Sequence, residues 1–313
     1  WINENKYQEA YAYAVKVIAD GHYPLASDYR EIFLADNNTC KEIIWPLVQD
    51  GLRAQSSAGT NFYVKAFVNG PMDELYKTGV GSRGWGNVRA KVSLVDAFDA
   101  DDVMFDGNDT WGNNKKDKRA QFMTALPNQV KDTWDVNMDM TSTFTCGYGY
   151  IKWRNVTKED ELCPSGDAYT SIDFPLFRTA DAYLMAAEAI LRGANGTQSE
   201  ALGYVNEVRT RAYMSGKYAK NGVRSDVSGE ITANELNLDF LLVERQKELA
   251  SELTRRTDLI RFGKYTKGNN WDWKNGVRLG ADVDDKYNLF PIPESELTNN
   301  PTLVQNDGYK VIK

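Results

Sequence analysis

Apolar residues recur at helical spacing near both ends of the chain and lose that spacing between them. In NENKYQEAYAYAVKVIADGHYPL, Tyr7, Tyr11, Ala14 and Ile18 fall at i, i+4, i+7 and i+11, one face of a helix. Gly21 supplies the expected stop and Pro24 prevents continuation. Ser27 is placed to cap a short helix over SDYREIFLAD. KEIIWPLV reads as a strand, with Pro46 confining it to an edge or an end.

From residue 51 to 175 the pattern loosens. Gly, Asn, Asp and Thr crowd segments such as SSAGTN, KTGVGSRGWGN and FDGNDTWGNNKKDK. These predict long loops, with one helix over 88–98 and a strand at GYGYIKWRNVT. Loop stretches of this length inside a compact protein usually carry function, so a ligand site is expected here.

Helical order returns at FPLFRTADAYLMAAEAILRGANG, where Phe177, Ala180, Leu184, Ala187 and Leu191 follow the 3.6 period and Gly193 ends it. SEALGYVNEVRTRAYM aligns Leu202, Val205, Val208 and Ala212, and the short link predicts antiparallel neighbours. This small-residue hairpin resembles a tetratricopeptide unit, and the helix over 4–20 has similar texture, without a strict 34-residue period through the chain. Thr232 and Glu235 form a capping-box pattern ahead of one long helix. Its apolar face carries Phe240, Leu241, Leu249 and Leu253, and its charged stripe carries Glu244, Glu248, Glu252 and Arg255.

Composition narrows the function classes. The 313 residues, 42% hydrophobic, suffice for one large domain or two moderate ones. A net charge of -7 lacks the basic footprint of a nucleic-acid binder. With 17 Tyr, 12 Phe and 8 Trp, aromatics exceed what a core alone asks for and suit stacking on sugars or partner surfaces. Cys40, Cys146 and Cys163 form no CxxC, and an odd count gives no disulfide framework. With His22 as the only histidine, a zinc site and a His-dependent triad are both disfavoured, and no cofactor is expected. No run of 18 apolar residues is present to span a membrane. The start at Trp1, without methionine or signal peptide, suggests a processed or truncated form. Sequons at Asn37, Asn108, Asn155 and Asn195 are at the level of chance.

Gly79, Gly81 and Gly84 match GxGxxG, but a dinucleotide loop needs a buried strand ahead of it, and MDELYKT is not one. A glycine loop that presents Trp85 to solvent fits better. Glu248 and Glu252 lie one helical turn apart, as an acid–base pair of a glycosidase could. Beside Arg245 and Arg255 they more often form a structural ion network, and nothing in the sequence raises a pKa. The acidic runs DAFDADD and ADVDD could offer calcium oxygen ligands, but they miss the EF-hand spacing and read better as solvated loops. Tyr63, Trp85, Trp111, Trp153 and Trp271 are the candidate aromatic platforms, though each residue of this kind is more often core. Trp85 and Trp111 stand apart, between glycines and polar residues and off any apolar period, so both rings are expected at the surface. A ring face suits the apolar face of a pyranose, and Arg83 and Asn87 could hydrogen-bond its hydroxyls.

PLFRTADAYLMAAEA, VNEVRTRA, ERQKELASELTRRTDLIRFGKY and LFPIPESEL with NPTLVQNDGY, in this order, resemble the SusD/RagB family of surface glycan-binding lipoproteins. Its hallmark is matched by Glu244, Arg245, Glu248, Leu249, Glu252, Arg255, Asp258, Leu259, Arg261 and Gly263, with Leu253 for a usual glycine and Arg256 for a usual tryptophan. HYPLASDYREIFLADNN and KEIIWPL extend the likeness toward the start. SRGWGNVRAK and WDWKNG are similar to segments of the family's starch-binding founder. The resemblance implies a mainly α fold, tetratricopeptide-like helix pairs against a large loop-rich ligand-facing region with a few short strands. It implies one integrated domain: 1–50 a helix and short elements, 51–175 the ligand-facing loops, 176–313 the C-terminal helical region with a terminal clamp in which Phe290 and Ile292 are buried anchors.

It further implies a non-catalytic role at the cell outer membrane. Oligosaccharide, with starch or another α-glucan favoured, would be captured for a SusC-like TonB-dependent transporter. The membrane would be reached only through an upstream lipid anchor. The expected ligand residues are Trp85, Arg83, Asn87, Trp111 and Tyr63. The alternatives are import of peptide or another glycan, an all-α glycoside hydrolase built on Glu248 and Glu252, and a helical scaffold that binds only protein.

Overall fold

Helix α1 spans Tyr7–Asp20 in the computed structural model, ending at Gly21 with φ +71°, the left-handed turn that glycine adopts freely. The structure describes residues 2–53, 55, 57, 59–68, 73, 77–103, 109, 111–112, 114–123, 148–214, 227–268, 277 and 280–310. The chain divides into two units, Trp1–Glu252 and Leu253–Lys313.

The first unit holds the helix pairs read from the sequence. α5 (Thr179–Leu191) and α6 (Gln198–Met214) share a core of Ala180, Leu184, Ala187, Ile190, Ala201, Val205 and Val208. α1 packs on α5 through Ala10 and Ala189. Small side chains at these contacts let the helices approach closely. α7 (Leu238–Glu248) adds Leu241 to the same core.

The helix expected from Phe174 onward begins only at Thr179. Phe174–Arg178 is instead strand β4, antiparallel to β1 (Ile43–Leu47) in a two-stranded sheet. Pro175 is unsuited to a helix interior, and it faces Pro46 across the ladder. Phe177 therefore points away from the helical core and sits 6.0 Å from Trp45. Asp28, not Ser27, caps the next element. Its carboxylate accepts the Arg30 N–H at 2.9 Å, and the element is a 3-10 turn over Tyr29–Phe33.

The loop-rich region contains α2 (Thr60–Lys65), α3 (Val92–Val95), α4 (Ala100–Val103) and a two-residue ladder of β2 (Phe122–Met123) with β3 (Gly149–Tyr150). The helix over 88–98 is thus limited to one turn. The strand expected at GYGYIKWRNVT is also short, because its residues thread the core, buried from Tyr148 to Val156. Their backbone groups bond three separate segments: Ile151 N–H to the Gln121 carbonyl, Arg154 to Phe33 and Asn155 to Thr78.

The single long helix after Thr232 does not form. Thr232 and Glu235 close a turn, with both the N–H and hydroxyl of Thr232 donating to the Glu235 carboxylate at 2.8 Å. Asn237 is the true cap, accepting the Phe240 N–H at 2.9 Å. α7 stops at Glu248, and Ser251 and Leu253 adopt φ of +61° and +63°. Leu253 thus holds a left-handed conformation that glycine takes without strain.

The second unit contains α8 (Arg255–Arg261) and α9 (Glu294–Asn299). Its proline segment is closed by the residues that follow it. Gln305 both accepts from the Ile292 N–H (2.8 Å) and donates to its carbonyl (2.9 Å). Asn306 donates to the Phe290 carbonyl and the Tyr309 hydroxyl to the Leu289 carbonyl. The closure is made by polar side chains on backbone, not by buried rings. Phe290 is 72% exposed, with the Arg256 guanidinium 4.3 Å from its ring centroid, and Ile292 is only half-buried.

Candidate functional site

The short helix α2 sorts its side chains by face. Asn61, Val64 and Lys65 are buried, while Phe62 projects outward. Tyr63 turns inward and stacks on Trp153 (5.4 Å) and Phe174 (5.7 Å). Burial pushes its phenol pKa up. The ring expected to face ligand thus belongs mostly to an aromatic stack beneath the surface.

The backbone of α2 holds the glycine loop. The Lys65 carbonyl accepts the N–H of Trp85 (2.8 Å) and Gly86 (3.3 Å), and the Ala66 carbonyl accepts those of Asn87 and Val88 (both 2.9 Å). This places Trp85, 42% exposed, beside Phe62, 43% exposed, with centroids 6.2 Å apart and planes at 58°. Two exposed rings meeting at an angle form a corner, an apolar surface open to solvent. Arg83 and Asn87 flank it, both exposed. Arg83 reaches Asp167 at 3.0 Å across to the neighbouring loop. The contact shown by the structure is that of Trp85 with Phe62, while Arg83 and Asn87 lie two residues to either side of Trp85 in the chain. Phe62 has no sequence signal beyond its place in a short polar-flanked segment.

The glycine motif is explained by packing. The Asp73 carboxylate accepts from Thr78 N–H (2.9 Å), the Thr78 hydroxyl, Val80 N–H (3.2 Å) and Gly81 N–H (2.9 Å). Donors that a phosphate would use are already taken. Gly79 (φ +78°) and Gly81 (φ +53°) pass so close to neighbours that a Cβ would sit 2.5 Å from the Asn155 carbonyl oxygen and 2.7 Å from Asp167 Oδ2.

Trp111 departs from expectation. Its ring is 9% exposed, with the Arg154 guanidinium 4.3 Å from the ring centroid and Arg30 at 5.9 Å. Its indole N–H donates to Asp160 at 3.1 Å. The polar sequence around it hides a buried cation–π clamp. Trp271, the WDWKNG segment, Asn108 and Cys146 lie outside the described residues. The amides of Asn37 and Asn155 are engaged with backbone carbonyls inside the protein, Asn37 with Ile32 and Asp173, and Asn155 with Gly79 and Gly166.

Glu248 and Glu252 are buried in an ion network. Glu248 takes Arg178 (2.7 Å), Arg119 (3.2 Å) and Arg211. Glu252 takes Arg178 (2.6 Å) and Lys152, Glu244 takes Arg119 and Arg209, and Glu42 takes Arg178 and Arg211. The cations come from remote segments rather than from Arg245, which pairs with Asp181 (2.8 Å). Burial alone would raise the Glu248 pKa, but Arg211, Arg178 and Arg119 outweigh it and hold the carboxyl well below the usual range. Burial brings the Lys152 ammonium down to about 8 against the pull of Glu252. Both carboxyls are buried and tied to guanidinium groups, out of reach of a substrate, which argues against the acid–base reading of this pair.

The acidic runs serve the backbone. Asp102 accepts the N–H groups of Lys116 (2.7 Å) and Asp117 (3.0 Å), and Asp284 accepts that of Lys286. Among the described residues no acidic, His or Cys group is arranged to hold a metal. No helix among them is long and apolar enough to cross a membrane.

Comparison with known proteins agrees with the motif reading. The sequence pattern of the SusD family matches residues 41–309. The chain is 32% identical over 340 residues to the starch-binding protein SusD of Bacteroides thetaiotaomicron, covering 99% of this chain and 57% of that one. It is 25% identical to SusD-like protein P25 of Formosa agariphila, covering 98% and 56%. Among solved structures, the fold is shared with surface glycan-binding protein A of Bacteroides uniformis (TM-score 0.61, 22% identity, 97% of this chain and 58% of that one). It is also shared with that of B. thetaiotaomicron in complex with laminarihexaose (TM-score 0.60, 21% identity, 97% and 61%). The chain thus spans less than two thirds of the length of these relatives.

Proposed function

The chain belongs to the SusD family, and from that premise we propose that it captures oligosaccharide without chemical conversion. The Phe62–Trp85 corner, flanked by Arg83 and Asn87, is the observation that carries this reading. Two rings offer stacking area to the C–H faces of sugars, and the flanking guanidinium and amide offer donors to hydroxyls. Identity to a protein named for starch binding favours an α-glucan. The structural likeness to a laminarihexaose complex makes a β-glucan the second ligand to try. The setting proposed is the outer-membrane surface, with a lipid anchor upstream and a SusC-like TonB-dependent transporter as partner.

Calorimetry on the full-length protein with maltohexaose, laminarihexaose and an unrelated hexapeptide tests the reading. Binding of either glucan, weakened about tenfold by Trp85→Ala, is the expected result. Heat from the peptide alone would move the protein to peptide capture, and absence of binding to any glycan would reject the proposal.

A further inference from the structure

Lys65 occupies an unusual position for a lysine. It is 5% exposed and ends the same helix that carries Phe62. Its carbonyl holds Trp85 and Gly86. Its ammonium crosses to the opposite loop, donating to the Ala168 carbonyl at 2.5 Å and lying 5.9 Å from the Tyr169 ring centroid. That loop also carries Asp167, the partner of Arg83, and passes close enough to Gly81 to exclude a Cβ there. One residue therefore links three parts: it shares α2 with Phe62, its carbonyl takes the N–H groups of Trp85 and Gly86, and its ammonium reaches the 167–169 loop.

We propose that Lys65 is a positioning residue that fixes the Trp85 ring against Phe62 and sets the width between the two loops. It does not touch the ligand. The exposed Arg83–Asp167 pair is poorly suited to this task, because solvent-exposed ion pairs hold geometry weakly. An ammonium on a carbonyl, carried by a lysine that is 5% exposed, is the stronger tether, because a charge-assisted hydrogen bond holds its geometry better than an exposed ion pair. The inference rests on the glycan-binding reading for its effect on affinity, but its effect on the Trp85 ring is independent of any ligand.

The test uses the full chain with 5-fluorotryptophan incorporated and the Trp85 resonance assigned by Trp85→Phe. Lys65→Met keeps the apolar stem and removes the ammonium. It is expected to fold, to shift the Trp85 fluorine resonance and to weaken the preferred glucan about tenfold, the scale of one lost charge-assisted hydrogen bond. Lys65→Arg, which restores a cationic donor, is expected to recover both within about twofold. A folded Lys65→Met with an unchanged resonance or unchanged affinity overturns the proposal. So does a Lys65→Met chain that fails to fold, which would assign the ammonium to fold stability instead. If the wild type binds no glucan while the resonance still moves, the functional reading falls and the positioning of Trp85 stands.

Discussion

Replacing Glu248 by Gln perturbs the centre of the buried ion network with almost no change of shape. The carboxylate accepts from Arg178, Arg211 and Arg119, all at most 5% exposed in their side chains. The amide removes the charge and turns one acceptor into a donor facing guanidinium N–H groups. Breaking a buried pair by removing one partner costs about 3–5 kcal/mol, because the remaining charge stays out of water. For a unit of this size, each kcal/mol is worth about 2–4 °C, so the melting temperature should fall by about 6–20 °C at pH 7. The pH dependence follows from the depressed carboxyl pKa in the folded state. Its contribution is complete above the unfolded value of about 4.3 and is lost as pH falls toward the folded value. The gap between wild type and Glu248→Gln should therefore be widest near neutrality and close below about pH 4. Thermal and urea unfolding followed by circular dichroism at several pH values measures it. A gap under about 1 kcal/mol at pH 7 would show that the network is solvated and refute the reasoning.

Two further outcomes separate the roles of neighbouring residues. Trp111→Phe should leave glucan affinity unchanged but lower stability by about 1–3 kcal/mol in urea unfolding, since the ring loses its bond to Asp160 and stacking area under Arg154. Leu253→Gly should raise the melting midpoint by the equivalent of about 0.5–1 kcal/mol: the exposed side chain gives up little burial, and relief of the left-handed backbone exceeds the added chain entropy.

The helix pairs were legible because alanine, leucine and valine at a 3.6 period leave few other folds for 7–20 and 179–214, and the family hallmark was legible because its motifs occur in order. The failures share a physical cause. FPLFR carries the apolar content of a helix, but its partner strand is some 130 residues away in sequence, so nothing local marks it as extended. The stripe on 244–252 reads correctly as an ion network, but the sequence offers Arg245 and Arg255 as its cations, whereas Arg119, Lys152, Arg178 and Arg211 come from four distant segments that nothing local marks. Trp85 was identified by its glycine neighbours. Trp111 has similar neighbours and the opposite fate, decided by Arg30 and Arg154. Phe62 escaped because whether an aromatic in a six-residue helix points in or out depends on what covers it.

The facing prolines of the small sheet bear on how the protein behaves in a crowd. Trp45, Leu47, Leu176 and Phe177 are large apolar side chains exposed on this strand pair, the kind of element that can recruit extended segments of other molecules into fibrillar stacks. Neither Pro46 nor Pro175 has an N–H to offer an incoming strand, and the two lie opposite each other in the ladder. A third strand pairing at that level would find no backbone donor on either proline. The sheet can stay sticky on its face without becoming a template for aggregation.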